Sequence, residues 1–277
     1  HVPEFANLRV YAGVDARGNP ILGAPVHPPT LAELLTHTAG FVYGFQGSPV
    51  DQMFEAQKPF EVDSTQEMIR RVASVPLEYQ PGSRWKYSVA VDIQGYIIEK
   101  LSGRKLPQFF RERIFDPLGM KDTDYYVPES KMSRLATMYR IAPNGTALTP
   151  VPHDANVARM PPFTGGGGGL YSTAHDYLRF AQMLANEGEF DGVRYLAPPT
   201  LELMRGNHLA PHLMTGGFGI GSQQIRPGFG FGYNVAVFED PVKAGAPIGK
   251  GSYLWDGAGG NFFWVGPTHA IVVIAMV

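Results

Sequence analysis

Apolar positions in the first 130 residues recur at helical spacing between polar and Pro-rich stretches. Thr30 with Glu33 forms a capping box that predicts a helix over Leu31 to His37, directly after Pro28 and Pro29. Ser64 with Glu67 forms a second box, opening a helix to about Ala73 that Pro76 closes. Val91, Ile93, Ile97, Ile98 and Leu101 mark a helix ending at Gly103, a residue suited to a left-handed cap. Pro107 starts another through Phe115, which stops before Asp116 and Pro117. From Ala142 to Gly169 the chain is rich in Pro, Gly, Asn and Thr, a long excursion of the kind that covers a site or links units. Thr173 with Asp176 caps a helix to about Asn186, ended by Gly188. After Gly216 the period changes to two, predicting strands over Phe218 to Ile225, Phe231 to Phe238, Asn261 to Val265 and Ala270 to Val277. The last two form a hairpin across Gly266, Pro267, Thr268 and His269.

Helices first and strands last predict an α+β fold, an antiparallel sheet flanked by helices plus a mainly helical region. The division falls between a helical region, residues 1–165, and an α/β region, residues 166–277. His1 to Asn7 has neither the basic start nor the apolar core of a signal peptide. Ala270 to Val277 reads as a strand buried on both faces, where chains rarely stop, so the fold is expected to be incomplete at both ends.

With 23 Lys and Arg against 25 Asp and Glu, no net field draws the chain to nucleic acid or an anionic membrane, and a small-molecule ligand is expected. The absence of cysteine excludes disulfides, thiolate nucleophiles and Cys-ligated metals and leaves the compartment open. No run reaches the ~18 to 20 apolar residues of a membrane span, and no heptad argues for an oligomer. Neither metal nor cofactor is expected. His208 and His212 have the spacing of zinc ligands, but Pro211 interrupts the helix they would need and no Glu stands in a base position. The five glycines from Gly165 to Gly169 lack the Gly-Lys-Ser/Thr ending of a phosphate loop and read as a flexible cleft wall. His37, at a helix end, is expected to serve the helix dipole and local hydrogen bonds. No Gly-x-Ser-x-Gly elbow accompanies His153-Asp154.

The most informative stretch is Tyr79-Gln-Pro-Gly-Ser-Arg-Trp-Lys-Tyr-Ser-Val-Ala-Val-Asp-Ile-Gln-Gly95, a Pro-Gly turn and an aromatic segment that sets Tyr87 just before a helix. It resembles the second motif of the serine β-lactamase and penicillin-binding-protein superfamily, Tyr-x-Asn or Tyr-Ser-x, with Val89 in place of Asn. Tyr-Ser-x, a small residue, an apolar residue and Asp resemble in particular the family VIII carboxylesterases, which share the class C β-lactamase fold. The third superfamily motif, Lys-Thr-Gly on a sheet-edge strand, falls at Trp255-Asp256-Gly257, and in those esterases it is commonly Trp-x-Gly. The segments ending at Gly40 (Leu-Leu-Thr-His-Thr-Ala-Gly) and at Asp176 (Gly-Gly-Leu-Tyr-Ser-Thr-Ala-His-Asp) are similar to superfamily segments, so the resemblance spans about residues 31–277. It implies a β-lactamase/transpeptidase-like fold and a serine carboxylesterase that acts on small neutral esters through an acyl-enzyme. The alternatives it leaves are a β-lactamase or D-Ala-D-Ala peptidase and, in another class, a non-catalytic scaffold lacking the nucleophile.

The resemblance puts the first motif, Ser-x-x-Lys, upstream of the residues shown; Ser83 to Lys86 and Ser102 to Lys105 are chance matches. A serine hydroxyl needs a neighbouring base. Tyr87, with a free pKa of ~10, could be that base only where cations favour its phenolate or a lysine shares the proton. Its other reading is a buried aromatic with a bonded hydroxyl. Trp255, otherwise an apolar anchor under a sheet edge, replaces a cation. A charge-assisted hydrogen bond contributes about 1.5 to 3 kcal/mol, so its loss favours neutral esters. Gly257 lets backbone approach a substrate carbonyl, and an N–H near Ala258 would supply half of an oxyanion hole. Strand alternation turns Asp256 away if Trp255 and Gly257 face the cleft.

Overall fold

Side-chain caps open the helices that begin at Leu31, Pro49, Thr65, Ala174 and Pro241. The computed structural model describes residues 1–142, 145–214, 219–220, 223–224 and 227–276, with 219–220 and 223–224 described as backbone. A short hairpin, β1 (Val10–Val14) and β2 (Pro20–Gly23), precedes α1 (Leu31–Leu35). Thr30 and Glu33 complete the expected capping box, but α1 stops before His37, which takes a left-handed φ of 55°. α2 (Pro49–Gln57) was not expected; its box is Ser48 with Asp51, an acid one methylene shorter than the usual Glu. α3 (Thr65–Ala73) is capped by Ser64, while Glu67 pairs with Arg70 and Arg71. α4 (Ala90–Ser102) ends on Gly103 at φ 68°.

The helix expected to stop at Phe115 continues. α5 (Leu106–Phe110) widens into a π-turn at Arg111–Phe115, and α6 (Asp116–Leu118) follows to Gly119 at φ 67°. Pro117, which has no N–H for a regular helical ladder, directly follows the π-turn, where that ladder is already widened. The long excursion holds a hairpin, β3 (Tyr139–Ile141) and β4 (Leu148–Pro150). α7 (Ala174–Ala185) is capped by Thr173, and the chain turns at Glu187 and Gly188, both at positive φ. β5 (Glu189–Phe190) and β6 (Val193–Arg194) then lead to α8 (Pro198–Arg205), also unexpected.

Of the strand expected over Phe218 to Ile225, Phe218, Gly221, Ser222 and Ile225 lie outside the described residues; β7 (Gly219–Ile220) and β8 (Gln223–Gln224) pair with each other, so the run is not one strand. The strand expected over Phe231 to Phe238 is two, β9 (Phe229–Phe231) and β10 (Ala236–Phe238). Asn234 at φ 58° turns the chain between them, a conformation Asn accepts more readily than most residues. α9 (Pro241–Ala244), β11 (Tyr253–Asp256), β12 (Phe262–Gly266) and β13 (Ile271–Ala275) complete the elements. The antiparallel sheet runs β13-β12-β11-β10-β9. β13 is not buried on both faces: it borders the sheet, Ile271 is 44% exposed, and the rest of the strand is half-buried, packed against α7. Val277 lies outside the described residues.

Two apolar cores result, one joining α1 to α4 and Leu8 to Val42, the other joining α6, α7 and α8 to the sheet. Between them Leu209, Phe231 and Ala236 form a third cluster, on which Trp85 and Trp255 pack.

The glycine run is not a flexible wall. Asp92, 3% exposed near the start of α4, accepts the Gly167 N–H at 3.0 Å and the Tyr43 hydroxyl at 3.1 Å. A Cβ on Gly167 would lie 2.7 Å from Asp92 Oδ2 and 2.8 Å from Tyr43 Oη, and one on Gly166 would strike the Val91 carbonyl. These glycines exist because the loop lies against the helix. Gly166→Ala is expected to cost about 1 to 3 kcal/mol by overpacking, whereas Gly168→Ala, with nothing within 4 Å of its new Cβ, is expected to change stability by less than about 0.5 kcal/mol. Chemical denaturation of both variants measures the difference.

Candidate active site

Tyr87 sits on an extended segment tied down by four backbone N–H groups. Gly82 N–H donates to Thr38 O at 2.8 Å, Lys86 N–H to His37 O at 3.0 Å, Ser88 N–H to His37 Nδ1 at 3.2 Å and Val89 N–H to Val42 O at 3.1 Å. The whole segment hangs from residues 37–42, and α4 starts immediately after it. His37, expected to serve the end of α1, instead lies beyond it, 1% exposed, with its ring centroid 4.8 Å from that of Tyr87. Burial depresses its pKa to about 3, so the imidazole is neutral at physiological pH.

Tyr87 and Trp255 come together from distant parts of the chain, their ring centroids 5.4 Å apart. Tyr43 also stacks on Tyr87, at 5.4 Å and 8°. Phe45 and Phe60, both exposed, extend the aromatic surface from Tyr43. Burial raises the Tyr87 pKa, the Asp92 and Asp256 charges raise it further, and the Trp255 indole N–H opposes them as a hydrogen-bond donor. Asp256 is exposed, yet its charge still acts on Tyr87, so alternation does not remove it from the site. Burial raises the Asp92 pKa too, against the donors Gly167 and Tyr43.

Trp255 is on β11, which is interior to the sheet rather than at its edge. The pairing to β10 involves only Tyr253 and Leu254, however, while β12 continues beside Trp255 and Asp256. The strand margin therefore opens at the motif. Gly257 donates its N–H to Asn261 O at 2.7 Å, closing the turn to β12. A Cβ on Gly257 would meet protein atoms only at 3.7 Å or more, so the protein's own packing does not require glycine there. The Ala258 N–H donates no hydrogen bond within the described residues. Gly257 and Gly260 donate within the turn, which leaves the Ala258 N–H unbonded among the described residues.

Both Ser-x-x-Lys matches are structural. Ser83 Oγ donates to Gln80 O at 2.7 Å, and Lys86 is held by Asp51 and Glu78. Ser102 Oγ accepts the Arg104 N–H at 3.2 Å, and Lys105 faces Glu99 at 3.8 Å. His208 stacks on Tyr233 and its Nε2 meets Leu203 O at 2.6 Å. No helix among the described residues is long and apolar enough to cross a membrane. The sequence drew attention to the segments holding His37 and Asp92 without assigning either residue to the site. Tyr43, three residues beyond the Gly40 segment, had no local signal.

The chain is 36% identical over 251 residues to the Mycobacterium tuberculosis protein Rv1367c, covering 89% of this chain and 61% of that protein. It is 31% identical over 270 residues to the esterase EstB of Burkholderia gladioli, covering 89% of this chain and 64% of EstB. It thus spans less than two thirds of the length of these curated relatives. Among solved structures, EstCE1, described as a hydrolase with promiscuous acyltransferase activity, superposes with a TM-score of 0.73 at 28% identity, covering 99% of this chain and 70% of that one. The α+β architecture is thus β-lactamase/transpeptidase-like, as the tyrosine and tryptophan segments implied. The Beta-lactamase family model matches residues 19–277, and the chain belongs to that family.

Proposed function

We propose that the protein is a serine carboxylesterase acting on small neutral esters through an acyl-enzyme, its nucleophilic serine and motif lysine lying upstream of His1. The observation that carries the reading is the meeting of Tyr87 with Trp255 beside a strand margin whose Ala258 N–H is unbonded. The serine Oγ adds to the ester carbonyl and its proton passes to Tyr87 or to the lysine. The carbonyl oxygen becomes an oxyanion that the Ala258 N–H stabilises, and Gly257 leaves room for the approach. Collapse expels the alkoxide, which takes up the proton and leaves as the alcohol. Water then adds to the acyl-enzyme and releases the acid.

Two further observations support this substrate class. The motif position that holds a cation in penicillin-recognising relatives is Trp255, and the nearby Lys86 is held by Asp51 and Glu78. Neither Trp255 nor the paired Lys86 offers an uncommitted cation to a substrate carboxylate. The surface leading away from Tyr87 is aromatic, through Tyr43 to Phe45 and Phe60, and suits an uncharged acyl or alcohol group. EstB is named an esterase, and EstCE1 is described as a hydrolase with promiscuous acyltransferase activity; both descriptions agree with acyl-group chemistry here.

In the intact protein, Tyr87→Phe is expected to lower kcat for a p-nitrophenyl ester by about 100-fold or more, in the upper range for a lost proton-transfer group, with unchanged thermal stability. Wild-type turnover in that variant would remove Tyr87 from the mechanism. Faster hydrolysis of a chromogenic cephalosporin than of the ester would favour the lactamase alternative. Failure of a serine-directed phosphonate to label the protein would favour the scaffold. Trp255→Phe removes the N–H donor that favours the Tyr87 phenolate, so the Tyr87-controlled limb of the pH–rate profile is expected to move to higher pH.

A further inference from the structure

We infer that His37 is a positioning residue for Tyr87, an acceptor that fixes the backbone on both sides of the tyrosine, through its carbonyl before it and through Nδ1 after it, and that Nδ1, not the ring as a whole, is the part of the side chain responsible. Its catalytic consequence rests on the esterase reading; its geometry does not.

The Lys86 N–H and the Ser88 N–H flank Tyr87, and both donate to His37, one to its carbonyl at 3.0 Å and the other to Nδ1 at 3.2 Å. A backbone N–H can only donate. Nδ1 is therefore unprotonated and the neutral ring carries its hydrogen on Nε2. The Ser88 hydroxyl, also 3.2 Å from Nδ1, is a second donor to the same atom rather than its proton acceptor. Ser88 is buried and in contact with the imidazole, yet this is not a nucleophile and base: the ring neighbours of His37 are Trp85, Tyr87, Phe231 and Trp255, leaving the Ser88 oxygen enclosed.

Only an unusual backbone brings Nδ1 to this place. His37 has a φ of 55°, in the left-handed region that few residues other than glycine, Asn and Asp visit. Its N–H bonds back to Leu34 O at 3.3 Å, and its carbonyl takes the Lys86 N–H together with the Tyr79 hydroxyl at 3.3 Å. Backbone and ring thus both meet the segment that carries Tyr87. The imidazole lies nearly parallel to the Trp255 indole, 13° between planes at 6.5 Å, and so links the tyrosine segment to β11.

The test uses the intact protein with two readouts, ester turnover and the exchange rate of the Ser88 amide hydrogen. His37→Asn keeps an acceptor oxygen where Nδ1 stands and tolerates the left-handed backbone; His37→Leu fills the space without an acceptor. Both lose the ring contacts, but leucine also strains the left-handed backbone. His37→Gly, which takes that φ freely and has no acceptor, is therefore measured beside them and is expected to follow His37→Leu in both readouts. Behaviour of His37→Gly like that of His37→Asn would assign the leucine loss to strain and overturn the proposal. His37→Leu is expected to speed Ser88 exchange at least tenfold and to lower kcat about 100-fold, the scale of a small misplacement of a reacting group, with KM little changed. His37→Asn is expected to keep slow exchange and to retain kcat within about fivefold of wild type, a gap of at least one decade from the leucine variant. Equal losses in His37→Leu and His37→Asn would overturn the proposal, as would wild-type kcat and exchange in His37→Leu. If His37→Leu does not fold, Ser88→Ala decides with His37→Asn: it leaves the amide in place and is expected to keep kcat, and a loss there would assign the effect to the hydroxyl instead. Absence of any ester turnover in the wild type would remove the esterase reading while the exchange result still judged the clamp.

Discussion

The structure around the site depends on one buried carboxylate. Asp92 is nearly inaccessible, and a carboxylate in that position must be met by donors or stay protonated. Its donors come from two distant segments, the Gly167 amide and the Tyr43 hydroxyl. That requirement brings the glycine run against the start of α4, and close contact then forbids side chains at Gly165, Gly166 and Gly167. It also fixes Tyr43, whose ring stacks on Tyr87. Three stretches of chain that meet nowhere in the sequence are held in register by the needs of a single group. Tyr125 adds a second tie, its hydroxyl donating to Gly165 O at 2.7 Å.

Much of this was legible in the residues, and the gaps have physical causes. Capping boxes and glycine caps located α1, α3, α4 and α7 because those signals are local. α2 escaped because its box uses Asp51, an acid that also accepts the Gly44 N–H and pairs with Lys86, interactions no local pattern shows. The break between β9 and β10 depended on Asn234, whose side chain donates to Gln94 Oε1 at 2.7 Å and whose N–H donates to Leu35 O at 2.8 Å. These contacts bridge the helical and sheet regions, so a tertiary constraint set the turn. The glycines read as flexible for a similar reason: a sequence does not reveal what lies behind a loop. Tyr87 and Trp255 were found through their flanking patterns, but their contact, and the placement of His37 and Tyr43 around them, belong to the packing of separate elements.

The same burial that orders the site makes Tyr87 harder to ionise. Desolvation, Asp92 and Asp256 all favour the neutral phenol, and the one opposing group, the Trp255 indole, brings a dipole rather than a charge. A neutral donor stabilises a phenolate far less than an ammonium at the same place, because its field falls off faster and it carries no net charge. Within these surroundings Tyr87 therefore rests as the phenol. Under the esterase reading it serves as a proton relay, taking the serine proton only as it passes its own to another group, and the partner that makes this favourable must be cationic. Asp92 carries the same opposition. Removing its charge would ease ionisation of Tyr87 but would unfasten Tyr43 and the glycine loop. The acid that orders these segments is thus also one that keeps the neighbouring phenol neutral, and under the esterase reading any group that shares the Tyr87 proton works against it.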